Sequence, residues 1–215
     1  VNSITAVGIE TLLNTSTSGS QPYADVAYAA DGSYVTIWQD SNGLDGDLSG
    51  LFGQRFDAAG NVVGAVFQIN STTANSQYDA AIAMDDAGNF VVGWTHRTNG
   101  GSTQVYAQQF DSLAVMQGGE FTVNTQSQGN QRMADAAMDA SGNFVIAWYG
   151  NGGGDDEGVF IQRYNAAGTE LGSETLVNTE IIGDQQSPCL AMDGVGNFVV
   201  VWKSDGQDSS SFGIY

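Results

Sequence analysis

The sequence predicts an all-β fold made from one unit that occurs four times. An aromatic residue, three mostly β-branched or small residues and a tryptophan recur as Tyr34–Trp38, Phe90–Trp94, Phe144–Trp148 and Phe198–Trp202. The four tryptophans follow one another at intervals of 56, 54 and 54 residues. A fixed period of this length indicates a repeat architecture. The chain of 215 residues also contains 29 glycines and only two prolines, a composition that favours short strands joined by tight turns.

Each repeat is predicted to form four antiparallel strands, named A to D in chain order. In the second repeat these are Ala80–Asp85, Asn89–Trp94, Val105–Phe110 and Glu120–Val123. Turns are predicted at Asp86–Gly88 and Asp111–Ala114, where glycine and asparagine tolerate positive φ. A polar loop, 95–104, joins strands B and C.

Small residues mark strand A as the innermost strand. Alanine stands at one equivalent position in all four repeats, at Ala27, Ala83, Ala137 and Ala191. Strands that crowd about a central axis need small side chains, and four antiparallel strands per unit are the blade of a β-propeller. We therefore predict four blades, with the tryptophans in the core between them.

The two ends of the sequence predict how the ring closes. The last repeat stops at Tyr215, the equivalent of Phe52, Tyr106 and Phe160, and lacks a strand D. Residues Thr5–Asn14 resemble a strand D with no blade before it. We expect this N-terminal strand to complete the last blade, so that residues 1–215 form one domain without open sheet edges. A segment of a longer propeller and an open stack of β units are the alternatives. The first residue, Val1, indicates a processed or excised chain.

The strongly negative net charge restricts the molecules that the protein is expected to bind. The net charge is −19, from 24 acidic and five basic side chains. Nucleic acids and anionic membrane surfaces are disfavoured because both require Lys and Arg, whereas cations are favoured. No run of 18 apolar residues predicts a membrane span. The only cysteine, Cys189, lies in a predicted strand and is interpreted as a buried apolar residue.

The repeat resembles one found in very large secreted bacterial surface proteins. Gly88–Trp94, Gly196–Trp202, Gly158–Gly168 and Ser204–Asp208 carry this resemblance over nearly the whole chain. Such proteins often contain cadherin-like or RTX-type calcium modules. The resemblance therefore implies a secreted or cell-surface location, and it supplies no catalytic residues.

Carboxylates that recur with the repeat predict a metal site. Asp85, Asp139 and Asp193 each end a strand A, two residues beyond the equivalent alanine, and Asp31 lies nearby in sequence. If strand A lines the axis, these side chains gather at one end of the channel and favour Ca²⁺, whose ligands are oxygens. The alternative is that each aspartate stabilises its own turn through backbone N–H groups.

The loops between strands B and C are the predicted ligand-binding region, because they differ most between repeats. Tyr149 is a candidate platform for a sugar ring, and Asp155, Asp156 and Glu157 are candidates for holding a bridging cation. The alternative for Tyr149 is that it extends the core beside Trp148.

These observations predict a non-catalytic extracellular propeller that binds a glycan or a protein in adhesion or assembly. His96 has no equivalent in the other repeats, no Gly-x-Ser-x-Gly motif occurs, and the acidic residues at the strand ends follow the repeat. An enzyme is expected to break the repeat with acids that occur once. The alternatives are a glycoside-active enzyme with carboxylates at the channel mouth and a structural filament subunit that self-assembles.

Overall fold

The computed structural model is an all-β protein of four sheets arranged around an axis. It describes residues 10, 12–14, 19–127, 129–152, 154–207 and 211–215, with side chains for all of these except 133, 134, 155 and 156. Each sheet is antiparallel, with its strands hydrogen-bonded in chain order. The described residues include no helix that is long and apolar enough to cross a membrane.

Three of the four blades show four strands among the described residues. Blade 1 contains β1 (Asp25–Tyr28), β2 (Tyr34–Asp40), β3 (Gly50–Phe56) and β4 (Val62–Gln68). Blade 2 contains β5 (Gln77–Met84), β6 (Phe90–Arg97), β7 (Thr103–Phe110) and β8 (Met116–Thr122). Blade 3 contains β9 (Gln131–Met138), β10 (Phe144–Gly152), β11 (Asp155–Tyr164) and β12 (Thr175–Leu176). Blade 4 contains β13 (Gln185–Met192), β14 (Phe198–Asp205) and β15 (Phe212–Ile214).

The predicted strand order and the position of strand A are confirmed. The A strands β1, β5, β9 and β13 contact one another from blade to blade, which places them nearest the axis. The core lies between blades. Val35 and Ile37 of blade 1 pack with Phe90 and Trp94 of blade 2. Val91 of blade 2 packs in the same way with the aromatic side chains of blade 3.

A buried glutamine helps to position two of the four tryptophans, and the sequence analysis missed it. Gln131 and Gln185 lie 17 residues before Trp148 and Trp202, and each accepts a hydrogen bond from the indole Nε1–H, at 3.2 and 3.3 Å. Burying the indole costs less because its only polar group has a partner. The signal was present in the sequence as a second period-54 residue at the start of strand A.

Closure of the ring by Thr5–Asn14 stays a prediction, because residues 1–9 and 11 lie outside the described part of the chain. The equivalence of Tyr215 with Phe160 is confirmed. Trp202 and Tyr215 exchange two backbone hydrogen bonds, at 3.0 and 2.9 Å, in the register in which Trp148 opposes Phe160.

Candidate active site

The four aspartates predicted to bind metal are engaged in their own A–B turns. Asp139 accepts hydrogen bonds from the backbone N–H groups of Ser141 and Asn143, at 2.8 and 2.9 Å, and from the Asn143 amide at 2.7 Å. Asp85 and Asp193 make the same three bonds in their turns. Each of these three carboxylates thus accepts three hydrogen bonds within its own turn, as the turn-stabilising alternative predicts.

Asp31 belongs to the same class of turn residues. Its Oδ1 accepts the backbone N–H of Ser33 at 2.8 Å and the Ser33 hydroxyl at 2.6 Å. These bonds lower the pKa of Asp31, and bonds from Asn197 lower the pKa of Asp193, because they favour the ionised form. No group of three or more His, Cys, Asp or Glu suited to a metal ion occurs within the described residues. Calcium binding at these positions stays a prediction, and the geometry favours turn stabilisation.

The predicted ligand-binding residues are only partly brought together. Tyr149 is buried, and the Arg132 guanidinium lies over its ring at 5.7 Å from the centroid, so this face is not free to stack on a sugar. Glu157 accepts a hydrogen bond from Gln186 and lies 3.9 Å from Arg132. Asp155 and Asp156 are placed in β11, where only their backbone is described. Tyr149 therefore extends the core, as its alternative held.

Residues at the start of β1 and within β5, β9 and β13, on the chain before these turns, line a cavity of about 380 Å³. Residues of all four blades line this cavity, which we call the mouth. Its lining residues are Tyr23, Ala24, Asp25, Asp79, Ala80, Asp135, Pro188 and Cys189. The mouth therefore brings three carboxyl groups together with apolar and aromatic surface.

Asp25 and Asp135 occupy equivalent positions in blades 1 and 3 and connect each blade to the next. The Asp25 carboxylate accepts the backbone N–H of Ile82 in blade 2 at 3.0 Å. The Asp135 carboxylate accepts the backbone N–H of Leu190 in blade 4 at 2.5 Å. Each also accepts the N–H of the residue that follows it, at 2.8 and 2.9 Å respectively. These bonds fix both carboxyl groups relative to the axis.

Asp79 reaches the mouth through an unusual backbone. Tyr23, Asp79 and Ser187 are equivalent residues of blades 1, 2 and 4, and all three have positive φ, at 56°, 52° and 53°. The β5–β6 and β13–β14 ladders shift register at these points, which indicates a bulge. Non-glycine residues in this region carry strain of about 1–3 kcal/mol and concentrate at functional sites. Two of these three residues, Tyr23 and Asp79, line the mouth.

Burial raises the pKa of two mouth carboxyls. Desolvation raises the pKa of Asp135, to which the nearby negative charge of Asp25 contributes, whereas bonds from Leu190 and Cys189 oppose the rise. Desolvation also raises the pKa of Asp79, against the effect of the Arg132 charge. The mouth thus favours protonated carboxyl groups above the usual aspartate range, which is the condition for general acid catalysis.

Cys189 is exposed, so the prediction of a buried apolar cysteine was wrong. It occupies the same position in blade 4 as Asp135 in blade 3, and its thiol hydrogen-bonds to the Asp135 carboxyl. His96 lies away from the mouth, buried against the Tyr106 ring at 4.8 Å and bonded to Gln77 at 3.2 Å. Its surroundings are those of a core side chain.

The mouth residues were missed because they do not follow the repeat. One strand-A position holds Asp25, Ala81, Asp135 and Cys189, and the position two residues earlier holds Tyr23, Asp79, Met133 and Ser187. Acids that occur at unequal positions were the pattern expected of an enzyme. The signal was therefore present in strand A before its last residues, whereas the predicted metal ligands follow the end of the strand.

No protein-family model matches the chain, and no curated protein matches it in sequence. Solved structures are similar in fold. An endo-arabinase from Bacteroides thetaiotaomicron matches with a TM-score of 0.57 and 15% identity, over 95% of this chain and 78% of the arabinase. A thermostable family-43 glycoside hydrolase matches with a TM-score of 0.52 and 13% identity, over 90% of this chain and 70% of the hydrolase. A microbial sialidase gives 0.59 and 13%, over 89% of this chain and 43% of the sialidase.

These similarities confirm the β-propeller fold and contradict the prediction of a non-catalytic role. The matched structures are glycoside hydrolases, whereas the sequence analysis expected an adhesion, assembly or scaffold propeller without catalysis. The argument behind that prediction was also wrong. It depended on acids that follow the repeat, and the acids at the mouth break it.

Proposed function

We propose that the protein is a glycoside-active enzyme whose catalytic carboxyl groups are at the mouth. One observation supports this most strongly. Three aspartates that break the repeat converge on one cavity, in a propeller whose structural relatives are glycoside hydrolases. Glycoside hydrolysis needs two carboxyl groups, one protonated and one ionised, on either side of the scissile bond.

Asp135 has the properties of the general acid. Desolvation and the charge of Asp25 raise its pKa, so it keeps its proton at a higher pH than an ordinary aspartate. A proton on Asp135 would pass to the glycosidic oxygen as the bond to the sugar carbon breaks. The bond from Leu190 holds the carboxyl group in place for that transfer.

Asp25 has the properties of the second carboxylate. Its two backbone donors, Val26 and Ile82, fix its orientation. It would act on the opposite face of the sugar, either on the anomeric carbon or on a water molecule. Asp79 is the third acid, and its charge would change the electrostatic potential at the carboxyl groups of Asp25 and Asp135.

The cavity suits a small uncharged sugar unit. A volume of about 380 Å³ is within the range of small-ligand pockets. Ala24, Ala80 and Pro188 supply apolar surface, and Tyr23 is exposed at the rim, where its ring is available to stack on a sugar. Three carboxyl groups and the net charge of −19 oppose an acidic sugar. A polymeric glycan substrate would also require the extracellular location that the repeat resemblance implies.

The proposed site does not depend on how the ring is completed. In one arrangement, the N-terminal strand Thr5–Asn14 pairs with β15 and brings blade 4 against blade 1. In the other, which the sequence analysis also left open, the chain is a segment of a longer propeller. Both leave the lining residues of β1, β5, β9 and β13 around the mouth.

The test is hydrolysis of a panel of aryl glycosides and oligosaccharides that includes arabinosides, xylosides and sialosides. We expect hydrolysis of a neutral glycoside, lost in Asp25→Asn and kept in Asp31→Asn, a turn aspartate of the same blade. Equal melting temperatures of the two variants would separate chemistry from folding. No hydrolysis of any glycoside by the folded protein, or equal loss in both variants, would contradict the proposal.

A further inference from the structure

Next to the A–B turns, neighbouring blades enclose a groove. Three such grooves occur among the described residues, and each is lined by the glycine of an A–B turn: Gly88, Gly142 or Gly196. Their volumes are about 30 Å³ between blades 1 and 2, about 450 Å³ between blades 2 and 3, and about 240 Å³ between blades 3 and 4. The groove between blades 2 and 3 is larger than the mouth. We call it the side cavity, and its wall includes Gln109, Gln117 and Gly142.

The side cavity contains a pair of residues that breaks the repeat. Gln109 of β7 and Gln117 of β8 are directly opposite one another, so their side chains share one face of the sheet. In the other two blades whose strand D is described, the equivalent pair is an arginine and an aliphatic residue: Arg55 with Val63, and Arg163 with Leu171. Blade 2 therefore has two neutral amides where its neighbours have a cation and a hydrocarbon side chain.

The fold alone does not explain Gln109. In blade 1 the equivalent Arg55 donates from Nη1 to the carbonyl of Leu113 in blade 2, at 3.4 Å. Gln109 makes the same kind of bridge, from its Nε2 to the carbonyl of Ala166 in blade 3, at 3.1 Å. Glutamine is shorter than arginine and uncharged, so the junction is kept while space and neutral polar groups remain beside it. An arginine would serve the junction equally well.

The side cavity offers hydrogen-bond acceptors that its own residues leave unused. Gln117 Nε2 donates to Asp111 Oδ2 at 3.3 Å. Within the described part of the chain, no group donates to the Oε1 atom of Gln109 or of Gln117. Ser141 adds a hydroxyl on the opposite wall, where the groove between blades 3 and 4 has Val195. Groups of this kind are hydrated in a free protein, and ligand hydroxyls replace that water.

The charges around the side cavity favour a neutral ligand. Among the described residues, its lining contains Asp85 and Asp111 and no lysine, arginine or histidine, so an anion is repelled. Both carboxylates already accept hydrogen bonds in their own turns, so a cation would exchange its water largely for neutral amides. Phe110 and Met138 add apolar surface. Amide carbonyls, a hydroxyl and apolar surface together match a sugar, which presents hydroxyls and a C–H face.

We infer that the side cavity is a second sugar-binding site, which takes one neutral sugar unit at Gln109 and Gln117. The described residues that line it are all different from those that line the mouth. The inference therefore goes beyond the proposed function and stands whether or not the mouth is catalytic. Under the proposed function, the site would hold a glycan to the protein away from the bond that is cleaved.

The first experiment follows sugar binding to the full chain by NMR, with arabinose, xylose, glucose and galactose as probes. Monosaccharides have no glycosidic bond, so the mouth cannot hydrolyse them. We expect at least one probe to shift the side-chain amide signals of Gln109 and Gln117 in a saturable way. No such shift with any probe would overturn the inference, as would a shift caused by spermidine and by none of the sugars. Shifts confined to the mouth residues Ala80 and Asp135 would overturn it too, while leaving the proposed function intact.

The second experiment replaces the glutamine pair. Gln109→Arg/Gln117→Val gives blade 2 the pair of blade 1, and we expect the affinity for the sugar to fall about 10-fold or more because two hydrogen-bonding amides are lost. Tm should change by about 2 °C or less, because blade 1 carries the same pair in the same register. If this variant does not fold, Gln117→Leu alone, at an exposed residue, gives the same comparison.

The matched control is Arg163→Gln/Leu171→Gln, at the equivalent positions of blade 3. It should keep the wild-type affinity at the side cavity, because those residues line the next groove. Wild-type affinity in Gln109→Arg/Gln117→Val, or the same loss in the blade 3 control at equal Tm, would contradict a site at the glutamine pair.

Discussion

The A–B turns and the mouth each carry aspartates, yet these aspartates are in opposite environments. At the turns, Asp139 accepts three hydrogen bonds from its own turn, and such bonds lower the pKa of its exposed equivalent, Asp193. At the mouth, burial raises the pKa of Asp79 and Asp135. Satisfied carboxylates hold the backbone, whereas desolvated carboxyl groups retain protons that chemistry can use.

This difference indicates which positions of a repeat protein carry functional residues. The turn acids recur because every blade needs the same A–B turn. Under the proposed function, the mouth acids differ between blades because a single shared cavity needs each group only once. Asp25 and Asp135 have Ala81 and Cys189 as their counterparts, which no turn requirement explains. A break in the repeat is therefore a better guide to a site than the repeat itself.

Apart from the proposed catalytic pair, Asp25 and Asp135, the largest expected effect at the mouth comes from Asp79→Asn. Asparagine tolerates the positive φ of this residue, so the bulge is kept while the charge is removed. We expect kcat/KM for the glycoside substrate to fall by about 100-fold, as for the loss of one acid–base group. Ser187→Asn, at the same position of blade 4, is the control and should keep activity. Full activity in Asp79→Asn would exclude a role for this acid.

On the turn side, Asp139→Ala should destabilise the fold without touching the mouth. It leaves three donors without a partner in a buried turn, and we expect a loss of about 1–3 kcal/mol in the free energy of unfolding. Asp193→Ala removes the same three bonds in an exposed turn, where water replaces them, and should cost less. Urea unfolding measures both. A larger loss for Asp193→Ala would contradict the effect of burial.

The smallest expected effect is at Cys189. Its thiol bond favours the ionised form of Asp135, so Cys189→Ala should raise the pKa of Asp135 further. Since the proposed acid is active when protonated, activity is present below that pKa and is lost as pH rises through it. The alkaline limb of the pH–rate profile should therefore move to higher pH in Cys189→Ala. A shift to lower pH would show that the thiol acts in another way.

The sequence predicted the architecture well, because the residues that form the turns and the core recur from repeat to repeat. The tryptophan period, the alanines of strand A and the Gly–Asn turns each recur, so every strand of blade 2 was predicted within a few residues of its observed position. The mouth could not be predicted in the same way. It depends on the positive-φ backbone at Tyr23 and Asp79, and on the meeting of four strands distant in sequence. Sugar binding by Tyr149 stays a prediction, and the position of Arg132 over its ring favours the alternative that Tyr149 extends the core.

The central claim is that Asp135 donates a proton at the mouth while Asp139, four residues away on the same strand and turn, only supports the fold. The direct measurement is kcat/KM against pH for the wild type, Asp135→Asn and Asp139→Asn. We predict that Asp135→Asn lowers kcat/KM by about 10²–10⁴-fold and removes the alkaline limb, whereas Asp139→Asn keeps the wild-type profile. Wild-type activity in Asp135→Asn, or the same loss in Asp139→Asn at equal stability, would contradict the account.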